Sequence, residues 1–114
     1  MKKITKLLFG LTFLFSLAAC NGGIENRKTL DFKVWGNCGM CKKTIEKSLD
    51  KEGIEANWDK NTKQIKVQYD SVKYTEDQIH SMIADAGYDT EKKRGNDVAY
   101  SKLHKCCKYE RKKE

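Results

Sequence analysis

The sequence predicts an α+β fold, one sheet with two helices packed on one face, and three observations point there. Apolar residues alternate with polar ones in three separate runs, near 30–34, 54–58 and 65–69. Two runs at helical spacing, near 41–49 and 79–86, are interleaved with them. Each helical run stops short of a glycine, Gly53 or Gly87, the residue that most easily ends a helix in a left-handed conformation.

Taken in order, Leu30, Phe32 and Val34 face one way and Asp31 and Lys33 the other, which is the period of a half-buried strand. Cys41, Ile45 and Leu49 then recur at helical spacing, predicting a helix from about Met40 that ends before Gly53. Ile54, Ala56 and Trp58 alternate again, as do Ile65, Val67 and Tyr69, with the turn-forming Asp59–Lys63 between them, so this pair reads as a hairpin. Thr75 followed by Gln78 has the form of a capping box, and Ile79, Met82, Ile83 and Ala86 continue it as a second helix closed by Gly87. Tyr88-Asp89-Thr90 is expected to begin a fourth strand. The order is β-α-β-β-α-β, a split βαβ of ferredoxin-like type. Its predicted core comprises Leu30, Phe32, Val34, Ile45, Leu49, Ile54, Ala56, Ile65, Val67, Ile79 and Ile83, with Trp58 as packing. After a polar link at 92–97, Ala99, Leu103, Cys106 and Cys107 are expected to share one face of a short C-terminal helix.

The chain starts with what reads as an address. Lys2, Lys3 and Lys6 precede a mostly apolar stretch, Leu7–Ala19, whose thirteen residues are too few to span a bilayer, which takes about 20. Its end, Leu17-Ala18-Ala19-Cys20, resembles a bacterial lipobox, which implies cleavage before Cys20 and lipidation of that cysteine. The expected organisation is a leader at 1–19, a lipidated tether at 20–28, one small domain at 29–91 and a basic extension at 92–114, held on the membrane outside the cytoplasm. Removing the three leader lysines from the 23 basic residues leaves 20 against 16 acidic, a net of +4 concentrated in the tail from Lys102 to Lys113. That excess suits solubility or contact with anionic headgroups. Nucleic acid is not an expected partner, because no motif interleaves aromatic and basic residues.

Cys38 and Cys41 stand at the junction of the first strand and first helix. A helix N-terminus carries about half a positive charge, and Lys42 and Lys43 add to it, so both sulfurs are favoured as thiolates. Two thiolates aimed at one point select soft or borderline metal ions over hard ones. Here the sequence resembles the heavy-metal-associated domain family of copper chaperones, mercury-binding periplasmic proteins and the N-terminal modules of metal-pumping P-type ATPases. Cys38 and Cys41 match the family's C-x-x-C, Ile45-Glu46 falls at the matching offset, and Ala86-Gly87-Tyr88-Asp89 matches its glycine-tyrosine after the second helix. The chain departs in the loop: Gly36 precedes Cys38 by two residues where the family has three, and Met40 lies between the cysteines. The resemblance implies capture and transfer of a soft ion, Cu(I) first, with Zn(II) or Hg(II) as alternatives. Cys38 and Cys41 would be the ligands, Tyr88 would shield the metal, and a metal transporter or other metal-handling protein would be the partner.

Two further readings stand beside this one. Trp35 ahead of Cys38-Gly39-Met40-Cys41 faintly resembles a thiol-disulfide oxidoreductase centre, although the chain contains no proline to supply the cis-proline of thioredoxin-like folds. Cys106 and Cys107 read as small buried apolar groups, as a strained vicinal disulfide, or, one or both, as extra metal ligands folding back to the first pair, and His104 could join them by the same argument. Lys42, Lys43, Lys47 and Lys51 read as a solvated helix face that could also meet an acidic partner. No nucleophilic triad or phosphate-binding loop is present, so the sequence gives no case for an enzyme.

Overall fold

The computed structural model describes residues 24–113. The leader and Cys20 lie outside them. The elements are β1 (Arg27–Lys33), α1 (Gly39–Ser48), β2 (Ile54–Trp58), β3 (Gln64–Asp70), α2 (Glu76–Asp85), a short α3 (Asp97–Ser101) and a 3₁₀ turn at Lys105–Cys107. The fold is ferredoxin-like α+β, with a three-stranded antiparallel sheet in the order β1-β3-β2.

The alternation that predicted the strands also sets their register. Leu30 sits opposite Val67 and Phe32 opposite Ile65 on one side of β3, while Ile54, Ala56 and Trp58 sit opposite Tyr69, Val67 and Ile65 on the other. All these residues share one sheet face, so slipping any strand by one position would turn its apolar set to water. Ile45 of α1, Leu49 at its C-cap, and Ile79 and Ile83 of α2 close over that face and are buried. Leu30 and Ala56 pack at its margin and are only half-buried. β1 begins at Arg27, before the apolar alternation, because Arg27 and Lys28 are exposed and leave no apolar signal. The hairpin turn is held by the Asp59 carboxylate, which accepts from the N–H groups of Asn61 (2.7 Å) and Thr62 (3.1 Å).

Three expectations need correction. The fourth strand is reduced to one bridge between Val34 and Thr90, flanked by hydrogen bonds from Trp35 N–H to Asp89 O (3.0 Å) and Glu91 N–H to Lys33 O (3.2 Å). Tyr88, Asp89 and Thr90 are all buried rather than alternating, because the C-terminal segment covers the side that a strand would expose. That segment is not a single helix. α3 ends at Ser101, His104 is extended, and the following 3₁₀ turn buries Cys107 while leaving Cys106 exposed. Nor is the basic tail freely solvated: Arg111 pairs with the fully buried Asp89 (2.8 Å), and Lys112 Nζ donates to Thr90 O (2.7 Å).

Candidate metal-binding site

The two helices start in opposite ways. α2 has its capping box: the Thr75 hydroxyl accepts from Gln78 N–H (3.1 Å), the Gln78 side chain accepts from Thr75 N–H (2.9 Å), and Glu76 and Asp77 fill the first turn. α1 has Cys38 at its N-cap, makes no side-chain cap hydrogen bond and carries no acidic residue in its first turn. Its free N–H groups are therefore left for whatever charge develops on the sulfur beside them. The Cys38 thiol pKa is lowered accordingly, chiefly by the N–H of Cys41 and then that of Met40.

The loop before α1 is shaped by the core beneath it. Trp58 at the end of β2 is fully buried, and its indole N–H donates to Val34 O (3.0 Å). A Cβ on Gly36 would lie 3.0 Å from the Trp58 ring and 3.3 Å from Ile45 Cδ1, so the absence of a side chain at residue 36 lets the loop pass close over the ring. Lys42 corrects the reading of a solvated helix face. It is half-buried and donates to Glu46 Oε2 (2.5 Å), Asn57 Oδ1 (3.0 Å) and Trp58 O (2.8 Å). Glu46 Oε2 also accepts from Trp58 N–H (2.8 Å), so this pair fastens α1 to the end of β2.

On this base the Sγ atoms of Cys38, Cys41 and Cys107 lie within 4.8 Å of one another. Cys38 is half-buried, Cys41 and Cys107 are buried, and all are free thiols. Sequence reasoning left open whether one or both of Cys106 and Cys107 return to the first pair, and the structure brings Cys107 alone into the three-sulfur cluster. Cys106 Sγ is exposed, 3.6 Å from Met40 Sδ and 3.9 Å from Cys107 Sγ. His104 is exposed and is not one of the three clustered residues. The backbone of the 3₁₀ turn is tied to the first loop: Cys106 O accepts from Asn37 Nδ2 (3.3 Å) and from the Cys38 thiol (3.7 Å), while Asn37 N–H points at Cys41 Sγ (3.3 Å).

Tyr88 forms the inner wall. It is fully buried, and its hydroxyl has no hydrogen-bond partner among the described residues. Burial first, then the neighbouring Cys41 and Cys107 sulfurs, push its pKa far up, so it remains a neutral hydroxyl facing thiols. Burial and the Cys41 thiol likewise raise Cys107 to about 12.

Residues of the tail that sequence reasoning missed hold this arrangement in place. The Tyr109 hydroxyl donates to Gly87 O (2.7 Å) and accepts from Asp89 N–H (2.9 Å), with its ring stacked on Tyr88 at 5.5 Å. Asp89 also accepts from Gly95 N–H (2.7 Å) and Lys112 N–H (2.8 Å) besides Arg111. Gly87 has φ +100° and lies so close to α3 that a Cβ would come within 2.8 Å of Tyr100 N. The aspartate after Gly87-Tyr88 and the basic tail were visible signals, but no periodicity links residues 22 positions apart.

Comparison with known proteins agrees with this geometry. The family profile described as the heavy-metal-associated domain matches residues 37–89. A solved structure from Bacillus anthracis str. Ames, of a protein named for copper-ion binding, is 31% identical with a TM-score of 0.53, over 57% of this chain and 96% of that one. The CopZ metallochaperone is 33% identical with a TM-score of 0.52, over 55% and 98%. Oxidized MerP from Ralstonia metallidurans CH34 is 29% identical with a TM-score of 0.53, over 57% and 94%. No curated protein sequence gives a significant match.

Proposed function

Because the chain belongs to the heavy-metal-associated domain family, we propose that it captures a thiophilic metal ion through Cys38 and Cys41 and passes it on outside the cytoplasm. The observation that carries this reading is the pair of sulfurs gathered at the uncapped N-terminus of α1. Cu(I) is the ion that two thiolates favour, and two relatives are named for copper-ion binding and for metallochaperone activity. Zn(II) and Hg(II) are the other thiophilic candidates. Each sulfur loses its proton as the metal binds, and the dipole of α1 offsets the resulting negative charge. Transfer proceeds by ligand exchange: a partner thiolate joins the metal, and one of the two cysteines then leaves. The partner is a metal transporter or another metal-handling protein. A lipid on Cys20 holds the protein at the membrane, in keeping with the leader ahead of it. Among the described residues no helix is long and apolar enough to cross a membrane.

The test is a titration of the reduced full chain in detergent, carrying Cys20→Ser, with Cu(I) against a competing chelator. One equivalent is expected to bind, and Cys38→Ser or Cys41→Ser should each weaken binding by more than about 100-fold, since losing even a residue behind a ligand costs about 10–100-fold. Wild-type affinity in both variants would end the proposal. Anchoring is read separately in a lipoprotein-processing host. Wild type should fractionate with membranes, and Cys20→Ser should leave them.

A further inference from the structure

We infer that Cys107 is a third metal ligand, carried back by the C-terminal segment, so that three sulfurs hold the ion and its release needs that segment to lift. The inference rests on the metal-binding reading and adds to it, because Cys107 lies outside the matched residues 37–89.

Three observations carry it. The first is distance. A metal–sulfur bond of about 2.3 Å places three sulfurs around one ion about 4 Å apart. The Sγ atoms of Cys38, Cys41 and Cys107 already lie within 4.8 Å of one another, so small side-chain rotations close the difference. The second is construction. Cys107 is not on a loose tail: Asn37 and Cys38 hold the neighbouring Cys106 carbonyl, and Tyr109 and Arg111 lock the following residues to Gly87 and Asp89. The third is the unpartnered Tyr88 hydroxyl, fully buried among these sulfurs. A buried hydroxyl without a partner costs stability, and a thiolate formed on metal binding supplies the acceptor it lacks. That acceptor can be Cys41 as well as Cys107, so the hydroxyl supports a charged sulfur site, while distance and construction single out Cys107.

On binding, the Cys107 S–H bond breaks, its proton passes to water and a metal–Sγ bond forms, with no change of oxidation state. Cys107 then occupies the position that an incoming partner thiolate would need, so release requires the 3₁₀ turn to lift. Cys106 is not a ligand. Its exposed thiol points at Met40 on the outer side.

The test uses the reduced full chain carrying Cys20→Ser, loaded with one equivalent of Cu(I), with sulfur coordination counted by X-ray absorption at the copper edge. The parent and Cys106→Ser are expected to show three sulfurs. Cys107→Ser and Cys107→Ala should show two, with affinity at least about tenfold lower and faster loss of copper to a small dithiol acceptor. Using both substitutions separates ligand loss from a fault of either side chain in the core, and circular dichroism confirms folding. Two sulfurs in the parent, with binding still abolished by Cys38→Ser and Cys41→Ser, would overturn the inference and leave the proposed function standing. Three sulfurs retained in both Cys107 variants, or lost in Cys106→Ser, would also overturn it. Unimpaired binding in Cys38→Ser and Cys41→Ser would remove the proposed function itself.

Discussion

Asp89→Ala should lower folding stability by about 3–5 kcal/mol, read as a fall in the urea midpoint at unchanged slope, because it breaks a buried ion pair from one side. Asp89 is fully buried and accepts from Gly95 N–H, Lys112 N–H and the Arg111 guanidinium. Alanine would leave those donors without their acceptor and would free the tail from the body of the domain. Asp89→Asn should cost less, since its single carbonyl oxygen can serve one of the two backbone N–H groups. The same carboxylate sets an acid limit. Burial alone would raise its pKa, but Arg111, then the N–H groups of Lys112 and Gly95, outweigh burial and lower it. A carboxylate with a depressed folded-state pKa stabilises the fold fully above its unfolded value, near 4. Wild type should therefore lose stability as pH falls below about 4, a loss that Asp89→Ala should show to a smaller extent, since Asp59 and Glu76 are also held below the usual range. An Asp89→Ala midpoint within error of wild type at pH 7 would show that this pair does not hold the tail.

Trp58→Ala should be comparably damaging, at about 3–5 kcal/mol, because it empties the largest fully buried side chain of the core. It also removes the floor of the thiol loop: the indole supports Gly36 from below and donates to Val34 O. The loss should thus reach the metal site, weakening Cu(I) affinity although residue 58 touches no metal. Trp58→Phe separates the two contributions. It keeps most of the ring and loses the indole donor, so about 1–3 kcal/mol is expected from the carbonyl left unpaired. If Trp58→Ala lowered the urea midpoint but left Cu(I) affinity unchanged, Trp58 would be core filling alone and not the floor of the thiol loop; an unchanged midpoint would overturn both roles.

The parts legible in the sequence were those governed by local periodicity. Leu30, Phe32 and Val34 announced a strand, and Thr75 with Gln78 announced a helix start, because each signal lies within a few residues. Cys38 and Cys41 were legible for the same reason. What escaped was long-range. Nothing near Asp89 says that Arg111 will return to it, and so Tyr88-Asp89-Thr90 read as a strand and the tail as solvated charge. Cys106 and Cys107 were indistinguishable as neighbours in sequence. The 3₁₀ turn divides them, sending one sulfur to the thiol cluster and the other to solvent. Lys42 looked like any surface lysine until β2 supplied Asn57 and Trp58 for it to hold.

The direction of β1 has a spatial consequence. The strand enters at Arg27 and delivers the chain, seven residues and roughly 20 Å later, to the loop that bears Cys38. A lipid tied to the Arg27 end would leave the thiols on the opposite pole, held off the bilayer by the length of the sheet. The cargo port would then face outward, at a height that a docking protein on the same membrane would have to match.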